Sequence, residues 1–282
     1  MKNYKHLTFP MSIFLSVFFL LPLIFVIFYS FMEKGLYGGV INVFSLNAYK
    51  QIFQRSYQII TLRTLIIAFE ATVITVILAL ICAYAIAQSH HQTLFLSLIV
   101  LPFLTNSLIR IFAWMSILST DGMLNNLLLK IGIIENPLSF LYNRNAVILI
   151  MVYMYLPYAI LPIFSAIDSF DFSLLEASRD LGATKFQGIR KILFPSIKNG
   201  INTSILFTFI PAFGAYTISL LVGGKDSYLL GNLIVDQITK TRNWPLAAAF
   251  SLLLTLVSIV GILYIYRRPS YAQKSKKYQR VK

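Results

Sequence analysis

Apolar residues do not alternate with polar ones along this chain; they collect in long blocks. A helix that crosses a bilayer needs about 20 mostly apolar residues. Six runs meet that length, at roughly 11 to 31, 61 to 87, 94 to 118, 145 to 167, 201 to 222 and 245 to 266. The pattern predicts an all-α membrane protein with six transmembrane helices. Residues 1–60 form the first span and its following loop, 61–266 the transmembrane core, and 267–282 a basic tail. The first run exceeds the roughly 7 to 15 apolar residues of a signal-peptide core and is followed by Phe31, Met32, Glu33 and Lys34 rather than a small-residue cleavage site, so it reads as a retained span.

Composition agrees. Of 282 residues 57% are hydrophobic and only 12% charged, about half the usual share for a globular domain, so lipid rather than water is the main solvent. Lys and Arg number 24 against 10 acidic residues, and the excess suits cytoplasmic loops and anionic headgroups rather than nucleic acid. With the N-terminus inside, the inner side receives fourteen cations: Lys2, Lys5, Arg179, Lys185, Arg190, Lys191, Lys198 and seven in the tail from Arg267 to Lys282. The outer side receives eight, from Lys34 to Arg242, while Arg63 and Arg110 lie near or within spans. Both termini are therefore expected in the cytoplasm, with loops at 32–60, 119–144 and 223–244 outside. The lone Cys82 excludes an internal disulfide, and His6, His90 and His91 have no metal-ligand spacing.

The long inner connection at 168–200 is more structured than a loop needs to be. In residues 171–195, Ser173 and Glu176 fit a capping box, Gly182 supplies a left-handed helix end, Thr184 and Gln187 repeat the box, and Pro195 is expected to stop the second helix. Its apolar side chains, among them Leu174, Leu175, Leu181, Phe186 and Phe194, either pack beneath the chain's own spans or dock into a partner. Helix, turn and basic helix also suggest a DNA reader, but tethering at both ends to a bilayer argues against it.

Glu176, Ala177, Ser178, Gly182, Ile192 and Pro195 resemble the EAA signature of permease subunits in binding-protein-dependent ABC importers, whose pattern is E-A-A, three residues, G, nine residues, I-x-L-P. Ser178 replaces the second alanine and Phe194 the leucine. The stretches at 101–114, 121–134, 211–224 and 231–255 are similar to the spermidine/putrescine permease group of that family. The resemblance implies a coupling helix between spans four and five that sits in a groove of a cytoplasmic ATPase. Glu176, Ala177, Ser178, Asp180, Leu181, Gly182 and Ala183 would form the coupling surface. It also implies a second homologous permease subunit, a cytoplasmic ATPase dimer that uses ATP and Mg, an extracytoplasmic polyamine-binding protein, and a bacterial inner membrane around a multi-pass chain. No Walker A pattern occurs, so no cofactor is expected on this chain itself.

Ionisable groups inside spans are costly and face partners or a pathway. Glu70 lies about 13 Å and Arg110 about 12 Å from the outer surface at 1.5 Å per residue, so a structural ion pair between them is expected. The alternative is that Glu70 meets a polycationic substrate. Tyr153, Tyr155, Tyr158, Phe213 and Tyr216 are candidate rings for cation–π contact, with Asn106, Ser107 and Ser219 as polar contacts; each has packing as its plainer explanation. Pro157, Pro162 and Pro211 with Gly214 are expected to interrupt spans four and five, as hinges or as static kinks. The function predicted is a pore subunit, not an enzyme, of an ATP-driven polyamine importer. Iron, thiamine or opine importers share much of the pattern, and an ion-coupled carrier or a membrane enzyme is a more distant alternative.

Overall fold

A computed structural model describes residues 5–266; the basic tail predicted over 267–282 lies outside them. In chain order the elements are α1 (Lys5–Ser30), β1 (Met32–Lys34), β2 (Val40–Phe44), α2 (Asn47–Ile52), α3 (Arg55–Ala87), α4 (Gln92–Phe103), α5 (Ser107–Leu118), α6 (Met123–Lys130) and α7 (Arg144–Asp168). Then follow α8 (Ser173–Asp180), α9 (Lys185–Gly188), a π turn (Ile189–Leu193), α10 (Phe194–Ser196), α11 (Lys198–Phe213), α12 (Thr217–Val222), α13 (Leu230–Thr239) and α14 (Trp244–Tyr266).

Among the described residues, four unbroken helices are long and apolar enough to cross a membrane: Phe9–Ser30, Arg55–Ala87, Arg144–Asp168 and Trp244–Ile265. The third predicted span is not straight. Its run ends α4 at Pro102 and Phe103, restarts at Asn106, and turns through 91°. Asn106 causes the restart: its side chain accepts from the Leu108 N–H at 2.8 Å and so caps α5. The fifth run is likewise divided, between α11 and the short α12, where Gly214 caps the C-terminus. The fourth is not divided. Pro157 and Pro162 both lie inside a continuous α7, so the chain is not broken there.

The described residues separate into two compact units. One joins the residues up to Leu62 to Leu229–Ser258. It contains the only departure from an all-α chain among the described residues, the antiparallel hairpin β1–β2, which turns through Gly38 and Gly39, both at positive φ. The Gly39 N–H donates to Arg242 O at 2.8 Å and ties the turn down.

The other unit, Arg63–Tyr228 with the residues from Ile259, holds the core that positions the functional elements. Val76, Ala79, Ala83 and Ile86 of α3 meet Ala159, Ile160, Ile163 and Ile167 of α7, with Leu175, Leu193 and Ile197 closing one end. In lipid there is little hydrophobic gain from joining two apolar helices, so close packing of small residues carries the association. Gly200 shows this most directly. A Cβ there would stand 2.5 Å from Ala166 Cβ and 2.7 Å from Pro162 O, so α11 crosses α7 at a distance only glycine permits. The loop after α5 is pinned by Asn125, which is fully buried; its amide donates to Ser119 O (3.1 Å) and Leu138 O (2.9 Å), and its oxygen accepts from the Leu138 N–H (2.9 Å).

The segment expected to couple is a helix, a turn and a helix. Gly182, at φ +85°, ends α8: its N–H donates to Arg179 O and the Ala183 N–H to Ser178 O, the paired bonds of a Schellman turn. Thr184 and Gln187 form the reciprocal cap of α9 as expected. The first box does not form. Ser173 is already the first helical residue, and its N–H is taken by the Asp171 carboxylate at 3.0 Å. Nor does Pro195 stop the second helix. The π turn shifts the Phe194 N–H to Ile189 O, and the chain then continues past Pro195 to Ser196.

Candidate functional site

Two breaks in otherwise apolar helices face α7 and leave a cavity of about 300 Å³ between them. From the α4–α5 break come Phe103, Ser107 and Arg110; from the α11–α12 break come Gly214, Tyr216 and Thr217; α7 contributes Tyr155 and Tyr158. The breaks make the cavity polar, because backbone released from a helix is tolerated in a membrane only where it is buried in protein or lines a wet space. The rings form one array: Phe103 meets Tyr158 edge-on at 4.7 Å, and Tyr158 lies 6.5 Å from Tyr155. Tyr155 Oη donates to Pro211 O at 3.2 Å, a carbonyl beside the break in the fifth run. Among the described residues, no carboxylate lines the cavity.

Arg110 does not pair with Glu70. Its guanidinium lies over the Phe103 ring, 5.4 Å from the centroid, and its Nε is buried without a hydrogen-bond partner. Glu70 Oε2 instead takes Arg144 Nη2 at 2.5 Å. The equal depth expected for Glu70 and Arg110 assumed a straight third span antiparallel to α3; the bend at Leu104–Asn106 carries Arg110 into the cavity, and the start of α7 brings Arg144 to Glu70. Asp226 Oδ2 also accepts from the Arg144 N–H at 3.1 Å, and Arg63 Nη1 donates to Lys225 O at 2.8 Å. These contacts tie the loop after α12 to α3 and α7, so Glu70 belongs to a structural clamp outside the cavity.

The other expected residues divide. Ser107, Tyr158 and Tyr216 line the cavity, and Asn106 caps the helix that delivers Ser107 and Arg110. Tyr153 packs edge-on against Trp114 at 5.3 Å. Phe213 is fully buried and stacked on Phe209 at 5.7 Å. Ser219 is buried and its hydroxyl donates to Ser227 O. These last three are packing or framework groups, not lining. Phe103, Thr217 and the cavity position of Arg110 were missed; the polar cluster Thr105–Asn106–Ser107 just after Pro102 was the signal of a broken span.

A second surface lies at the α8–α9 turn. Leu175 and Ser178 turn inward, and Ser178 lies where a Cβ on Gly188 would meet its Oγ at 3.2 Å, so a small residue is required. Glu176, Ala177, Asp180, Leu181 and Gly182 are exposed and Ala183 is half-buried. Leu181 is 90% and Phe186 70% exposed, two large apolar side chains on the same turn. Own-span packing and an open apolar face thus coexist: one side of the segment completes the core, and the other is uncovered.

A family model described as "Binding-protein-dependent transport system inner membrane component" matches residues 5–271. The spermidine/putrescine transport system permease protein PotB of Escherichia coli (strain K12) is 37% identical over 255 residues, covering 90% of this chain and 93% of the relative. PotB of Haemophilus influenzae is 35% identical over 255 residues, covering 90% and 89%. Among solved structures, a bacterial ABC transporter involved in import of the acidic polysaccharide alginate superposes with a TM-score of 0.76 at 18% identity, over 93% of each chain. The same kind of transporter in complex with an alginate pentasaccharide-bound periplasmic protein gives 0.75 at 17% identity, over 93% of this chain and 91% of that one.

Proposed function

This chain belongs to the family of binding-protein-dependent transport system inner membrane components, and from that premise we propose that it is the permease subunit of an ATP-driven importer of spermidine and putrescine. Family membership makes it a multi-pass protein of the bacterial inner membrane and a pore component rather than an enzyme. The observation that carries the substrate is the 37% identity to a spermidine/putrescine permease over 90% of the chain, with both lengths matched.

In this reading the two broken helices, α4–α5 and α11–α12, each count as one span, giving six with both termini in the cytoplasm. Leu181 and Phe186 enter a groove of a cytoplasmic ATPase dimer, with Glu176 and Asp180 as polar contacts at its rim. Closure of the dimer pushes on α8. Because Leu175, Leu193 and Ile197 are built into the core and Gly200 holds α11 against α7, the push moves both helices together. That displaces Tyr155 and Tyr158, together with the end of α11, relative to Phe103, Ser107 and Arg110 at the α4–α5 break, and opens the cavity outward toward the binding protein. The rings of the cavity receive ammonium groups by cation–π attraction, and hydroxyls of Ser107 and Thr217 accept their N–H bonds. Since the described lining has no carboxylate, the counter-charges are assigned to the second permease.

The test is reconstitution of the full importer in proteoliposomes, with ATP inside and the binding protein outside. Labelled spermidine and putrescine are expected to accumulate only with ATP, and Leu181→Glu with Phe186→Glu is expected to abolish co-purification of the ATPase while leaving the permease pair intact. Accumulation of thiamine, iron or an opine in place of amines would overturn the substrate. Retention of the ATPase by the double variant would overturn the coupling surface.

A further inference from the structure

The cavity proposed to take ammonium groups already contains a cation of its own. Arginine carries a permanent charge, and the Arg110 guanidinium sits on the Phe103 ring at 5.4 Å, within the distance at which a ring face attracts a cation. Its Nε is buried and bonded to nothing, and neither of the two described ion pairs includes it. A buried donor left open costs stability, and in the described residues the guanidinium has a ring in place of a carboxylate. Phe103 is edge-on to Tyr158, and Tyr158 adjoins Tyr155, so the guanidinium occupies one end of the aromatic array that a substrate amine would use. The N-terminus of α5 is three residues away, and its dipole adds positive potential at the same place.

We propose that Arg110 is a tethered occupant of the cation site: its guanidinium holds the Phe103 face in the absence of substrate and must leave that face before an ammonium group can bind. The inference rests on the polyamine reading of the cavity. It makes Arg110 a specificity-determining residue. A small inorganic cation gains too little from the rings to displace the guanidinium, whereas an alkylammonium ion brings both charge and apolar carbon to the array. Two unit charges about 6 Å apart at an effective dielectric of about 20 repel by the equivalent of roughly 100-fold in affinity, so the resting site rejects cations until Arg110 moves.

The experiment measures binding of labelled putrescine to the purified assembly of permeases and ATPase in detergent, without ATP and without the binding protein, whose own affinity would mask the site. Arg110→Gln is expected to bind putrescine at least tenfold more tightly than wild type, and Arg110→Lys to remain as weak as wild type. A second measurement does not depend on comparing separately folded variants. In a Cys82→Ser background, Arg110→Cys is expected to gain binding as Arg110→Gln does. A cationic methanethiosulfonate reagent should reverse the gain, and a neutral reagent of similar size should leave it. Unchanged or weaker binding in both Arg110→Gln and unmodified Arg110→Cys, or equal effects of the two reagents, overturns the proposal. The polyamine reading is judged separately by ATP-driven uptake through the wild-type importer. Uptake of amines with no gain on neutralising Arg110 sinks the tethered cation alone. No amine uptake by wild type sinks the reading on which it rests.

Discussion

Replacing Gly200 tests whether α7 and α11 act as one body. Both flank the coupling segment, α7 ending at Asp168 and α11 beginning at Lys198. A methyl at Gly200 would stand 2.5 Å from Ala166 Cβ and 2.7 Å from Pro162 O, against about 3.4 Å or more for ordinary contact, so the helices must part by nearly 1 Å. One of the two obstacles is a backbone oxygen, which cannot rotate away. Overpacking of this kind costs about 1–3 kcal/mol, while alanine regains about 1 kcal/mol of helix propensity over glycine. Gly200→Ala is therefore expected to lose about 0–2 kcal/mol and Gly200→Val, with two further carbons and no such gain, about 3 kcal/mol or more. Thermal melting of the purified assembly in detergent, read by loss of the monodisperse peak, should rank wild type at or above alanine and both well above valine. ATP-driven uptake per folded transporter should fall in the same order. If Gly200→Val melts and transports as wild type does, the close crossing is not what joins the two helices.

Gly182→Ala meets no atom within 4 Å, so its cost is backbone strain alone, about 1–2 kcal/mol at φ +85°. ATPase co-purification is expected to weaken at unchanged permease level, with Gly182→Asn milder. Glu70→Gln leaves Arg144 unpaired at a site where both side chains are more than one-third exposed, and is expected to cost on the order of 1 kcal/mol. Added Arg144→Gln should restore the melting temperature and added Arg110→Gln should not; rescue by Arg110 instead would refute the assignment of the pair. Asn125→Leu removes the three hydrogen bonds of a buried amide and leaves backbone groups of Leu138 unmet. It is expected to cost about 2–3 kcal/mol, and limited proteolysis should cut the 119–138 loop faster than in wild type.

The long apolar runs, the glycine turn at Gly182 and the Thr184–Gln187 cap were all readable from residue order, because each depends on neighbours within a few positions. The EAA-like spacing was readable for the same reason: a Schellman turn needs its glycine at one fixed offset. The Ser173 box failed because a competing local acceptor, the Asp171 carboxylate, lay two residues upstream and took the Ser173 N–H that Glu176 would have met. Pro195 failed because a π turn, which no short pattern signals, made room for the ring.

The site was only half legible. Ser107, Tyr158 and Tyr216, noticed because polar and aromatic residues in spans are scarce, do line the cavity, yet Phe213 and Ser219 satisfied the same criterion and are packing and framework. What residue order by itself determined is a membrane chain with a structured loop between its fourth and fifth apolar runs, since solvent preference and turn geometry are properties of short stretches. Which arginine meets Glu70, and that Arg110 lies on a ring inside a cavity, were decided only by the tertiary structure. A 91° bend after Pro102 redirects every side chain beyond it, and the depth of a residue along a straight helix says nothing about its neighbours once that helix is broken.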